Sequence, residues 1–178
     1  IIQILAVDLG TDMLPALALG AERPDRSLMQ QPPRPQGERL LSWPLLARAY
    51  LWLGPLQAVA AMTTFFFVLR QGGWEYGQVL DGLDPLYLQA TTACLAAIVV
   101  AQVVNVFACR HSTESALRFG LRSNALLLVG VGVEIALILM IVYTQPGQAL
   151  FGTAPLPAQV WLLALGLGLA FGLLEEFR

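Results

Sequence analysis

The chain contains no lysine: all ten of its basic residues are arginine. That bias reads as genome composition rather than function. Charge of either sign is scarce, at 12% of 178 residues, where an average soluble domain carries about 25%. A soluble protein so poor in charge could not cover its surface. This excludes a disordered chain, a basic patch for nucleic acid and most cytosolic enzymes. Cysteine is confined to Cys94 and Cys109, so there is no disulfide framework. On one helix the two would lie roughly 22 Å apart along the axis, too far to pair. The single histidine, His111, has no cysteine or histidine at ligand spacing and reads as a surface residue of a charged loop. A phosphate-cradling glycine loop, a Ser-His-Asp arrangement and a Cys/His metal motif are all lacking.

What is abundant is apolar sequence, 57% of the chain. It gathers in five segments of about 19 to 23 residues, enough to cross a hydrocarbon core of roughly 30 Å. They cover about 1–20, 49–69, 86–108, 124–143 and 156–174. None alternates with a period of two. The predicted fold is therefore all-α: a polytopic membrane helical bundle of five transmembrane helices in a single domain, 1–178. The first segment lacks the basic flank of a signal peptide and carries two aspartates. Trp43, Trp52, Trp74, Tyr87, Tyr143 and Trp161 cluster near segment ends, as interface aromatics do. Gly166, Gly168 and Gly172 predict close helix packing. Pro55 and Gln57 read as a kink and a packing contact.

Arginine placement sets the orientation. Arg23, Arg26, Arg34, Arg39 and Arg48 lie between the first and second segments, and Arg110, Arg118 and Arg122 between the third and fourth. The second connection has one basic residue, Arg70, against Glu75, Asp81 and Asp84, and Thr144–Pro155 has no charge. Loops 21–48 and 109–123 are therefore expected to be cytoplasmic, and the other two external. The first span then runs inward and opens on Ile1, so we expect a piece of a longer protein. Pro24, Pro32, Pro33 and Pro35 keep the first loop extended, as a docking arm or a plain linker.

A charge inside a span is costly and points to function. Asp8, Thr11 and Asp12 share one helical face of the first span. Two carboxylates four residues apart repel unless a cation or proton relieves them, so the pair Asp8 and Asp12 reads as a metal site for a hard cation. The alternative is a helix end with both in water. Gly10 and Pro15 bracket the motif and favour unwinding, which would expose carbonyls as further ligands. Gln102 and Asn105 share a face of the third span. Their amide oxygens suit either cation coordination or interhelical hydrogen bonds. Glu134, amid Gly130, Val131, Gly132 and Val133, must face protein, water or an ion.

The run ILAVDLGTDMLPALALGAERPDRSLM followed by QPPRP closely resembles the sixth membrane helix and following loop of type II P-type cation ATPases, and LFGTAPL continues the likeness. This is the family of the sodium–potassium and calcium pumps. The resemblance covers essentially the whole chain and implies the last five of ten membrane helices. It implies cation ligands at Asp8, Thr11, Asp12, Gln102, Asn105 and Glu134. The pattern is closest to the sodium–potassium pump, with Val133 where that pump has a first glutamate. The resemblance further implies a transported cation (sodium, potassium or calcium), with magnesium and ATP on cytoplasmic domains outside this chain and no catalytic residue within it. Expected partners are the lipid bilayer and the N-terminal part of the same pump, with no nucleic acid. The expected location is the plasma membrane of a bacterium. Two other readings are a stand-alone channel-like or scaffold protein without ATPase activity, and a membrane enzyme using Asp8 and Asp12. The latter would require a further His or Asp cluster at a membrane boundary, which the sequence lacks.

Overall fold

The computed structural model describes residues 2–6, 13–22, 41–110 and 124–176. Seven helices form in this part: α1 (Ile2–Leu5), α2 (Met13–Gly20), α3 (Trp43–Gln71), α4 (Pro85–Ala108), α5 (Ala125–Tyr143), α6 (Gln145–Phe151) and α7 (Ala158–Glu176). Among the described residues there is no strand. The helices α3, α4, α5 and α7 are long and apolar enough to cross a membrane. α1 and α2 fall within the expected first span; the stretch 7–12 between them lies outside the described residues, as do the arm 23–40 and His111.

Two boundaries differ from the sequence reading. The second span begins at Trp43, not near residue 49. After a first α-helical turn, Trp43–Ala47, it is π-helical over Arg48–Leu53, and the Gly54 amide donates to the Ala49 carbonyl. Pro55 cannot donate an amide, and this wider turn stands just ahead of it, where the sequence suggested only a kink. The uncharged loop 144–155 contains a helix the sequence reading did not include, α6. The Thr144 hydroxyl caps it by accepting the Gly147 amide at 3.1 Å, and Gly152 ends it at φ 61°. Pro146 fits the first turn of such a helix, where its missing amide costs nothing.

The core is built of small residues. Ala60 and Ala61 of α3 are buried, as are Ala90, Ala93, Ala96 and Ala97 of α4, and these two helices share the most extensive contact. Alanine lets membrane helices approach closely, so dispersion contacts and interhelical hydrogen bonds can form. The Thr64 hydroxyl, fully buried, lies 3.2 Å from the Ala93 carbonyl across that contact. α7 packs on both α4 and α3. A Cβ at Gly168 would fall 2.7 Å from Val100, and one at Gly172 2.7 Å from Val104. Gly166 departs from expectation, since a Cβ there would meet nothing within 4 Å.

The LFGTAPL stretch is fixed by polar contacts the sequence does not announce. Thr153 donates to the Ile141 carbonyl at 2.7 Å, and the Ala154 amide to the Thr92 hydroxyl at 2.9 Å. The Gln3 amide nitrogen reaches the Phe151 and Gly152 carbonyls at 3.1 and 3.0 Å, tying α1 to the same loop.

Candidate functional site

Glu134 sits mid-way along α5 and is 1% exposed. Its burial follows from the stripe it belongs to: Leu127, Gly130, Val131, Ile138 and Ile141 are all buried at helical spacing from it. Gly130, one turn before Glu134, sits where α5 touches α2 most closely. A Cβ there would lie 3.2 Å from both the Leu14 carbonyl carbon and the Pro15 nitrogen, both backbone atoms. Glycine is required because the neighbour cannot rotate away. α5 and α2 are antiparallel, with Leu127 clustering on Ala18 and Gly130 on Leu14. Glu134 therefore stands about 6 Å farther along α5 than this contact.

Gln102 lies between Val99 and Val106 on one stripe of α4. Val106 clusters with Leu127, and Val99 belongs with Ile138 to the larger core. Gln102 itself is half-buried, and the α4 residues that stand beside α5 are Val99, Val100, Val103 and Val104, next to Ile135, Ile138 and Leu139. Gln102 also borders a cavity of about 560 Å³ lined by Gln3, Gln57 and Thr91 among apolar neighbours. Its Oε1 is buried and has no hydrogen-bond partner among the described residues. Such an acceptor costs free energy unless water or a cation meets it. Asn105, one turn on, is half-buried, and its Oδ1 lies 3.5 Å from the Cys109 sulfur. Asp8, Thr11 and Asp12 lie outside the described residues. Of the six expected ligands, Glu134 is buried on α5, Gln102 borders a cavity on α4, and Asn105 is engaged at the end of its own helix.

Sequence reasoning passed over a polar knot at the other end of these helices. Glu22, just past α2, pairs with Arg110, just past α4, at 2.8 Å, and the Arg110 side chain is 3% exposed. Asn124 caps α5 by accepting the Leu127 amide, and its own amide reaches the Ala18 carbonyl at 2.9 Å and Glu22 at 2.8 Å. One carboxylate thus joins the ends of α2, α4 and α5. An N-cap asparagine ahead of an apolar run is a legible signal; its partner 102 positions away is not. A second pair, Arg48 and Glu175 at 2.6 Å, joins the π-helical turn of α3 to the end of α7, and the Trp52 indole nitrogen donates to the same carboxylate at 3.0 Å.

A helical bundle of this kind, with a carboxylate buried at the middle of an apolar helix, fits the ion pumps the sequence resembles. The whole chain, residues 1–178, matches the family described as cation transporting ATPase, C-terminus. The chain belongs to this family. It is 29% identical to human potassium-transporting ATPase alpha chain 2, over 99% of this chain and 19% of that protein. It is 28% identical to sodium/potassium-transporting ATPase subunit alpha-1 of Catostomus commersonii, over 99% of this chain and 20% of that one. It is equally similar, at 28%, to sodium/potassium-transporting ATPase subunit alpha-2 of Bos taurus. The chain spans about one fifth of the length of these relatives. This cation-ATPase chain is an integral membrane protein corresponding to the C-terminal transmembrane region of type II P-type pumps. The relatives are animal proteins and lend no support to the expected bacterial source.

Proposed function

We propose that the chain forms the C-terminal part of the transport domain of an ATP-driven cation pump, supplying ligands from its first, third and fourth spans. The observation that carries this reading is Glu134: a carboxylate 1% exposed at mid-span, on the stripe that Gly130 presses against α2. Burying it is costly, and a transported cation offsets the cost. Gln102 supplies a neutral oxygen from α4, and Asp8, Thr11 and Asp12 complete the set from the first span, with Asn105 as an outlying sixth. Residues 21–48 and 109–123 face the cytoplasm in this reading. ATP hydrolysis and magnesium binding belong to the cytoplasmic domains of the pump, and the cation is sodium, potassium or calcium. The alternative of a stand-alone channel has no observation in its favour.

The test uses the complete pump. Glu134→Gln should weaken sodium activation of the ATPase several-fold while calcium or potassium effects stay nearly unchanged. Asp12→Asn, which keeps volume and removes charge, should abolish cation-dependent phosphorylation while protein still accumulates in the membrane. Unaltered cation dependence in both variants would refute the ligand assignment.

A further inference from the structure

Four residues, none of them buried, make up α1. A helix so short is marginal by itself, so its place in the bundle must come from contacts outside it. Ala6, just past it, is half-buried against the larger core. The polar hold is Gln3. Its side-chain amide carries two N–H donors, and it reaches two carbonyls, Phe151 at 3.1 Å and Gly152 at 3.0 Å.

The loop that supplies these carbonyls is itself tied to three helices. Thr153 donates to the Ile141 carbonyl of α5, and the Ala154 amide to the Thr92 hydroxyl of α4. The Pro155 carbonyl accepts from Gln89 of α4 at 3.0 Å, and the Leu156 carbonyl from Tyr143 of α5 at 2.8 Å. The Tyr143 hydroxyl in turn accepts from the Trp161 indole of α7 at 2.8 Å. Residues 153–156 are thus each bonded to α4 or α5, and α7 joins through Trp161. Gln3 ties a weakly held helix to a firmly held loop. Asp8 follows Gln3 by five residues, with Thr11 and Asp12 soon after.

We propose that Gln3 is a positioning residue for cation binding: gripped by the loop after α6, it fixes the starting end of the first span and so the presentation of Asp8, Thr11 and Asp12. This rests on the ligand reading above, and Gln3 itself touches no cation. With the clasp made, the span is ordered before the cation arrives. Without it, the cost of ordering falls on the binding step and lowers affinity.

The test uses the complete pump, titrated separately with sodium, potassium and calcium, and reads the half-saturating concentration and the maximal rate of ATP hydrolysis. Gln3→Met keeps the length and helix propensity of the side chain and removes both donors. It should raise the half-saturating concentration of the transported cation about two- to tenfold, the net worth of a neutral hydrogen bond, with a nearly unchanged maximal rate. Thr153→Val loosens the loop without altering Gln3 and should act in the same direction. The double variant should be no worse than the poorer single one, because both changes break one linkage. An unchanged half-saturating concentration in Gln3→Met would overturn the proposal. So would a fall in maximal rate or unfolding temperature alone, which would mark a packing contact, or effects that multiply in the double variant, which would mark independent sites. Asp12→Asn, run alongside, separates the two readings. Wild-type cation dependence there refutes the ligand set and this proposal with it, whereas an effect there with none in Gln3→Met refutes the clasp alone.

Discussion

Glycines 130 and 132 sit two positions apart on α5 and differ in one respect. A Cβ on the first meets the backbone of Leu14 and Pro15 at 3.2 Å, and one on the second meets nothing within 4 Å. Gly130→Ala should therefore cost about 1–3 kcal/mol, the range for forced overpacking, read as a lower unfolding temperature in detergent. It should also shift cation affinity in the complete pump, because Glu134 rides one turn above. Gly132→Ala should leave both nearly unchanged. Glu22→Gln makes a second residue-scale prediction. It strips charge compensation from Arg110, whose side chain is almost fully enclosed, so a loss of about 3 kcal/mol is expected. Sequence made Glu134 visible, because a carboxylate in an apolar run needs a reason. It could not reveal why Gly130 rather than Gly132 matters, since that depends on which face of α5 meets α2.

At the scale of elements, helix periodicity and length located the four long spans, because each is bounded by turn residues or polar caps. The π-helical turn of α3 was not legible: it lies where Arg48 and Trp52 both reach Glu175, on a helix more than 100 positions away. Nor was α6, whose seven residues are too few for a periodic signal. Orientation can be tested with a native residue. Cys109 is exposed just past α4, whereas Cys94 lies inside it. An impermeant maleimide should label Cys109 only after the membrane is opened. A cysteine replacing Val79, which is 94% exposed beyond the other end of α4, should label in sealed cells. Gly77 is a poorer site, since its φ of 97° disfavours a side chain. The Cys109 thiol is pushed up by desolvation, lowered by Arg48 and raised by Glu175. Only the thiolate reacts, so at about pH 8 labelling should be slower than in the SDS-unfolded chain.

For the whole molecule, composition and the arginine asymmetry were enough to read a membrane bundle, and the DLGTD and LFGTAPL motifs to read its family. What they left out is how distant ends are joined. Gln3 illustrates this: its partners Phe151 and Gly152 stand 148 and 149 positions later in the chain. Such pairing sets a waiting time. At a synthesis rate of roughly 5–20 residues per second, α1 leaves the ribosome about 7–30 s before the loop that holds it exists. Through that interval Gln3 has no carbonyl of 151–152 to meet, and α1 must rest on other contacts. The joint between α1 and the loop after α6 therefore closes late, once nearly all of the described bundle has been made.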